Sequence, residues 1–103
     1  MYEDKKRYLS SYMLQKSRID RLKEMIISQP ERQKEFLAQI NAANELRDTI
    51  ENKIQEVDGG TLTEILYWKY VCGKSLWEIS EYINYCFRHT ERLHLKALEK
   101  FKL

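Results

Sequence analysis

The sequence predicts an all-α protein: a long antiparallel helical hairpin with a coiled-coil-like seam, followed by a trihelical helix-turn-helix unit. Three observations carry this expectation. Three Gly and one Pro in 103 residues are too few for the many turns of an all-β chain. Three S/T-x-x-E signatures, Ser28…Glu31, Thr61…Glu64 and Ser75…Glu78, stand beside the breakers Pro30, Asp58-Gly59-Gly60 and Cys72-Gly73. In each, the hydroxyl can accept from the third residue's N–H while the Glu accepts from the cap N–H, which marks a helix start. Apolar residues between Phe36 and Val57 recur in steps of four and three, the spacing of a helix–helix seam.

The first predicted helix covers residues 3–27. It brings Leu9, Tyr12, Met13, Ile19, Leu22 and Ile26 near one face. The second covers 30–57, and Pro30 suits its first turn because a missing N–H costs nothing there. Its stripe is Phe36, Ile40, Ala43, Arg47, Ile50, Ile54 and Val57, a heptad seam with one polar interruption at Arg47. So narrow a stripe on a long polar helix suits another helix better than a broad core. The short loop makes the first helix the obvious antiparallel partner, and a second copy of the chain is the other candidate. The pattern alone does not choose between them, and a homodimer through helices 1 and 2 can coexist with the hairpin.

Three shorter helices follow, over 61–71, 75–83 and about 87–101. Read as one helix, residues 75–101 would place Leu76, Ile79, Ile83, Thr90, Leu93 and Ala97 on no single face. A break at Asn84-Tyr85-Cys86 restores two stripes: Leu76, Ile79, Ser80 and Ile83, then Thr90, Leu93, Ala97 and Leu98. Asn tolerates the left-handed conformation that ends a helix. Small Ser80 leaves room for the next helix to cross. This is helix-turn-helix spacing, and the helix over 61–71 would pack beneath both. The organisation expected is a hairpin over 1–57, a hinge at 58–60 and a helix-turn-helix domain over 61–103.

Removing the buried stripe from the last helix leaves Phe87, Arg88, His89, Glu91, Arg92 and Lys96 for solvent, with Lys100 continuing the basic row. A first helical turn carrying Arg, His and an aromatic, with a basic row behind it, is what major-groove docking requires. Arg forms bidentate bonds to guanine, and Glu accepts from cytosine or repels the backbone. The expected base-reading set is Phe87, Arg88, His89, Glu91 and Arg92. Lys74, Lys96 and Lys100 are expected to meet phosphate. The charge distribution agrees: residues 1–60 hold 11 Lys and Arg against 11 Asp and Glu, whereas residues 85–103 hold 5 against 2.

The run YVCGKSLWEISEYINYCFRHTERLHLKALEKF resembles the C-terminal helix-turn-helix of small phage transcriptional regulators of the RinA and ArpU type, which resemble sigma-factor region four. The similarity lies in Tyr70-Val71, Gly73, Lys74-Ser75-Leu76-Trp77, Glu78-Ile79-Ser80, Asn84-Tyr85, Arg88, Thr90, Arg92-Leu93-His94 and Lys96-Ala97-Leu98. The helical first half looks like the family's usual arrangement but carries little motif. The resemblance implies a phage or prophage origin and activation of late genes in a bacterial host, with double-stranded DNA as partner; RNA polymerase is a further candidate partner, through the helical half. Its DNA-facing positions coincide with the set reached by subtraction. Two departures stand out. Cys86 replaces the usual capping Ser, and the Asp58-Gly59-Gly60 hinge loosens the link between halves.

Other chemistries are weaker. Cys86, His89 and His94 do not have the spacing of a compact zinc finger, and Cys72 and Cys86 are expected to be a buried and a partly buried thiol. A Cys86–His89 nucleophile lacks an orienting carboxylate and an oxyanion-hole loop, so no enzyme and no cofactor is expected. Trp68, Tyr70, Trp77, Tyr82 and Tyr85 read as core or rim packing. Lys5-Lys6-Arg7 is not followed by an apolar run, so no signal peptide is expected. With no membrane span and only two cysteines, a cytoplasmic setting is the default. The alternative function is a protein-interaction module that binds polymerase or a phage assembly partner through the hairpin.

Overall fold

In the computed structural model, residues 2–57 and 59–103 are described, and every regular element among them is helical. Helix α1 spans Glu3–Ser28. A 3-10 turn at Pro30–Arg32 leads into α2, Gln33–Gln55. Helix α3, Gly60–Leu66, runs into a π-helical turn at Tyr67–Val71. Helices α4, Leu76–Ile83, and α5, Phe87–Lys100, complete the chain. The molecule measures 52 × 25 × 22 Å.

The heptad seam forms as its spacing dictates. Phe36, Ile40, Ala43, Ile50, Ile54 and Val57 are all buried, as are Leu9, Tyr12, Ile19 and Leu22 on α1. Ile19 and Leu22 pack with Phe36, Ile40 and Ala43 near the loop. Leu9 and Tyr12 meet Ile50 and Ile54 at the open end. The pairing of early α1 with late α2 is antiparallel, so the second helix's seam is covered within one chain. Met13, which the spacing also put inward, is 36% exposed, because it lies at the edge of the stripe and faces the groove beside α5.

Between the two apolar clusters lies a polar layer. The Tyr12 hydroxyl donates to Glu51 and accepts from an Arg47 Nη, 3.1 Å away. The Arg47 guanidinium lies 4.9 Å from the Tyr12 ring centre, close enough for a cation–π contact. Arg47 Nε is buried without a hydrogen bond. The single polar seam position therefore interrupts the hydrophobic packing and recruits its own partners.

Of the three predicted capping boxes, only one forms. Ser75 Oγ accepts from Glu78 N at 3.1 Å, and Glu78 Oε1 accepts from Ser75 N at 3.2 Å. Ser28 instead ends α1 and donates back to the Glu24 carbonyl, because the loop places Gln29 before Pro30 as the cap. Thr61 falls inside α3, whose cap is Gly59 at φ 139°. The expected helix over 61–71 is also not α throughout. Its last turn widens to a π turn, with Cys72 N donating to the Tyr67 carbonyl, before Gly73 closes it at φ 70°.

One core joins the hairpin to α3, the π turn and α5. Leu9, Tyr12, Ile50, Ile54 and Val57 cluster with Leu62, Leu66, Tyr70, Ala97, Leu98 and Phe101. Each buried Leu, Ile, Val and Phe there contributes about 1.5–3 kcal/mol, so packing sets the relation between the two parts. Of the expected hinge at 58–60, Asp58 lies outside the described residues. The Lys5 ammonium adds a polar tie: it donates to the carbonyls of Leu98 at 2.8 Å and Glu99 at 3.2 Å. These carbonyls lack partners within α5 because it ends there, and a cation at this end also complements the helix dipole.

Candidate nucleic-acid interface

The corner that presents α5 is built from Ser80, Asn84 and Cys86. Asn84 sits at φ 61°, ψ 34°, the left-handed region. The N–H groups of both Asn84 and Tyr85 reach the Ser80 carbonyl, which closes α4 and reverses the chain. Ser80 is buried, as its small size under the crossing helix requires. Cys86 is the N-cap of α5 but supplies no side-chain bond. Its carbonyl accepts from both Thr90 N and Thr90 Oγ1, each at 3.0 Å.

Thr90, His94, Ala97 and Leu98 bury one side of α5. The opposite side carries Arg88, Arg92 and Lys96, all exposed. Among the described residues, none of these three cations has a carboxylate or carbonyl partner. Cations one turn apart with no partner make a field that attracts a polyanion. Glu91 is exposed on the flank nearest α1, where it lines a groove with Lys6, Ser10, Met13 and Leu95. On the other flank, His89 is half-buried and meets Tyr85 edge-on at 4.8 Å. Phe87 is half-buried against Trp77, with ring centres 5.5 Å apart.

The structure thus brings Phe87, Arg88, His89, Glu91, Arg92 and Lys96 onto one exposed helix. Lys74 stands apart, directly before the Ser75 cap of α4. Lys100 lies beside Lys53, Glu56, Val57 and Lys102 at the end of α2, since the twelve residues from Arg88 make about 3.3 helical turns and leave it roughly a third of a turn around the axis. It is therefore separate from the Arg88–Arg92–Lys96 row.

Two expectations about side-chain burial are corrected. Cys72 and Cys86 are both exposed, because one follows the π turn and the other caps α5 at the corner. Of the five aromatics expected to pack as core or rim, Tyr70 alone is buried, and Trp77, Tyr82 and Tyr85 are 61%, 51% and 46% exposed. The α4 stripe is narrow, so aromatics off it gather on the outside, where Tyr82 stacks against Trp68 at 4.9 Å.

Sequence reasoning missed the inward role of His94. It is buried, and its Nε2 lies 2.9 Å from the Tyr70 hydroxyl. Its position four after Thr90 and three before Ala97 was the available signal. Cys86 is exposed and His94 is turned inward, so the two do not share a site. Among the described residues, no three of His, Cys, Asp and Glu are grouped to hold a metal ion. No described helix is long and apolar enough to cross a membrane. No family model, curated protein or solved structure matches the chain.

Proposed function

We propose that the chain is a non-enzymatic, sequence-specific DNA-binding regulator of transcription. In this reading α5 enters the major groove. The observation that carries it is the row Arg88, Arg92 and Lys96, exposed and without partners on the helix that follows a left-handed corner. Arg88, Arg92, His89, Glu91 and Phe87 meet base edges, and Lys96 and Lys74 meet phosphate. Lys100, at the far end of α5, reaches backbone from another direction. The resemblance of residues 70–101 to phage regulators of the RinA and ArpU type supports an activator of late genes acting in a bacterial cytoplasm. A homodimer through α1 and α2 would pair two such helices on a two-fold site.

Selection of bound duplexes from a random pool tests this. The expected result is one enriched motif, with inverted repeats if the chain dimerises. A pool that stays random after repeated rounds would remove the reading. The exposed Trp77, Tyr82 and Tyr85 favour a second partner beside DNA. Aromatics of this kind are enriched at protein interfaces, and RNA polymerase is the candidate partner. Recovery of polymerase only with intact Trp77 and Tyr82, with no DNA motif, would move the function to protein interaction.

A further inference from the structure

Helix α1 is polarised in charge. From Lys5 to Ile19 it contains Lys5, Lys6, Arg7, Lys16 and Arg18 and no Asp or Glu. Over Glu3–Ser28 it holds seven Lys and Arg against four Asp and Glu, whereas Gln33–Gln55 of α2 holds three against four. Three of its seven cations share one face. Arg7, Ser10, Leu14, Ser17, Arg18 and Arg21 recur at three- and four-residue steps and so share one face. All six are exposed, on the side of α1 opposite the seam of Leu9, Tyr12, Ile19 and Leu22.

Among the described residues, Arg18 and Arg21 have no carboxylate partner. Arg7 has a contact to Asp4 at 4.0 Å and Lys6 one to Glu3 at 3.9 Å. Exposed pairs of this length contribute little and exchange readily. The ridge is also contiguous with α5. Lys6 and Ser10 line one groove with Glu91 and Leu95, and further along, Leu14, Ser17, Arg18 and Arg21 line the next. Basic side chains therefore stand at both ends of this run, Lys6 and Arg7 near the flank of α5 and Arg18 and Arg21 further along α1.

We infer that this ridge is a second duplex-binding surface, on which Lys6, Arg7, Arg18 and Arg21 hold the sugar–phosphate backbone beside the site that α5 reads. The inference rests on the DNA-binding reading and adds a footprint that the helix-turn-helix alone does not have. Phosphate is the chemistry that fits: the Arg18 and Arg21 guanidinium groups lie on the same face as the Ser10 and Ser17 hydroxyls, and all of these donate hydrogen bonds that phosphate oxygens accept. At ~1.5 Å per residue α1 is about 39 Å long, which is roughly 11 base pairs at ~3.4 Å each. The contacts are blind to sequence and act only where DNA extends past the site.

The test measures binding to two duplexes by fluorescence anisotropy across salt concentrations. One carries only the selected site, about 14 base pairs, and the other has roughly 12 more on each side. The Arg18→Ala/Arg21→Ala variant is expected to bind the long duplex roughly tenfold more weakly than the wild type, with a salt slope lower by about two. Its affinity for the short duplex should not change, and Arg18→Lys/Arg21→Lys should keep most of the long-duplex affinity. Equal losses on both duplexes, or none on either, would overturn the inference. A wild-type chain that binds both lengths equally removes the ridge but keeps α5 as the reader. One that binds neither removes both.

Discussion

The Tyr70 hydroxyl and Nε2 of His94 lie 2.9 Å apart, and both side chains are at least 95% buried. This contact fastens the π turn to the inner side of α5. Burial raises the Tyr70 pKa to about 12, with a smaller contribution from Glu3. Burial likewise lowers the His94 pKa to about 4, and the nearby Lys69 and Lys6 ammonium groups lower it further. Both partners are therefore neutral at pH 7 and share one neutral hydrogen bond.

This pair predicts a pH dependence with a definite sign. In the unfolded chain His94 titrates near 6.5, and in the folded chain near 4. Between those values the unfolded state holds the extra proton. Stability is then full above about pH 6.5 and falls as the pH drops toward 4, by on the order of 2–3 kcal/mol from this residue. Urea denaturation at pH 7 and pH 4.5 measures it. The His94→Leu/Tyr70→Phe variant should lose less stability over that interval than the wild type. Identical losses would show that other groups set the acid response. Tyr70→Phe alone should cost about 1–2 kcal/mol at pH 7 by leaving a buried ring nitrogen unpaired.

A half-buried guanidinium whose Nε is buried without a hydrogen bond is a poor contributor to stability, so Arg47 should be replaceable. Arg47→Met keeps the volume and completes the apolar seam. Thermal unfolding should show the variant as stable as the wild type or up to about 1 kcal/mol more stable. Arg47→Ala should instead destabilise, since it also removes the stem that packs over Tyr12. A marked loss in Arg47→Met would mean that the bond to Tyr12 outweighs the cost of burying the charge.

The corner can be tuned from both sides. Cys86→Ser restores a side-chain acceptor to a helix start that has none and should stabilise by about 0.5–1 kcal/mol. Asn84→Gly should be nearly neutral, because either residue tolerates φ 61°. Asn84→Val should cost about 1–2 kcal/mol through its branched Cβ in the left-handed region. Chemical denaturation ranks the three variants. An Asn84→Val chain as stable as the wild type would show that the reversal does not need this conformation.

For DNA, Arg88→Ala should cost about 1–3 kcal/mol against the selected site and relax one base position. Equal losses on all sequences would reassign Arg88 to phosphate. Lys96→Ala should weaken binding to every sequence and lower the salt slope by about one. Both residues are exposed, so neither change should lower the unfolding temperature, and circular dichroism checks this directly.

Much of this was legible before any coordinates, but unevenly. The step of four and three from Phe36 to Ile54 identified the buried face of α2 residue by residue. The misfit of residues 75–101 to one helix located the reversal at Asn84. Capping signatures were less dependable: Ser75…Glu78 forms, whereas Ser28 is the last residue of α1 and Thr61 the second of α3. A hydroxyl caps only if the chain turns at that residue, and the loop conformation decides where it turns. Lys100 illustrates the limit of counting in fours. The helix repeat is 3.6, so a row that starts on one face drifts off it within three turns.

The sequence by itself determined which segments are helical, which face of each is apolar, and that Arg88, Arg92 and Lys96 look outward. Those properties depend on residues within a turn or two of each other, where spacing alone fixes neighbours. Only the tertiary structure decided that Lys5 closes the end of α5 across 93 residues, that Tyr70 meets His94 across 24, and that Lys6 and Ser10 of α1 line a groove with Glu91 and Leu95 of α5. Such contacts depend on how whole helices cross. Crossing is set by the summed packing of many side chains, and no local period in the chain records it.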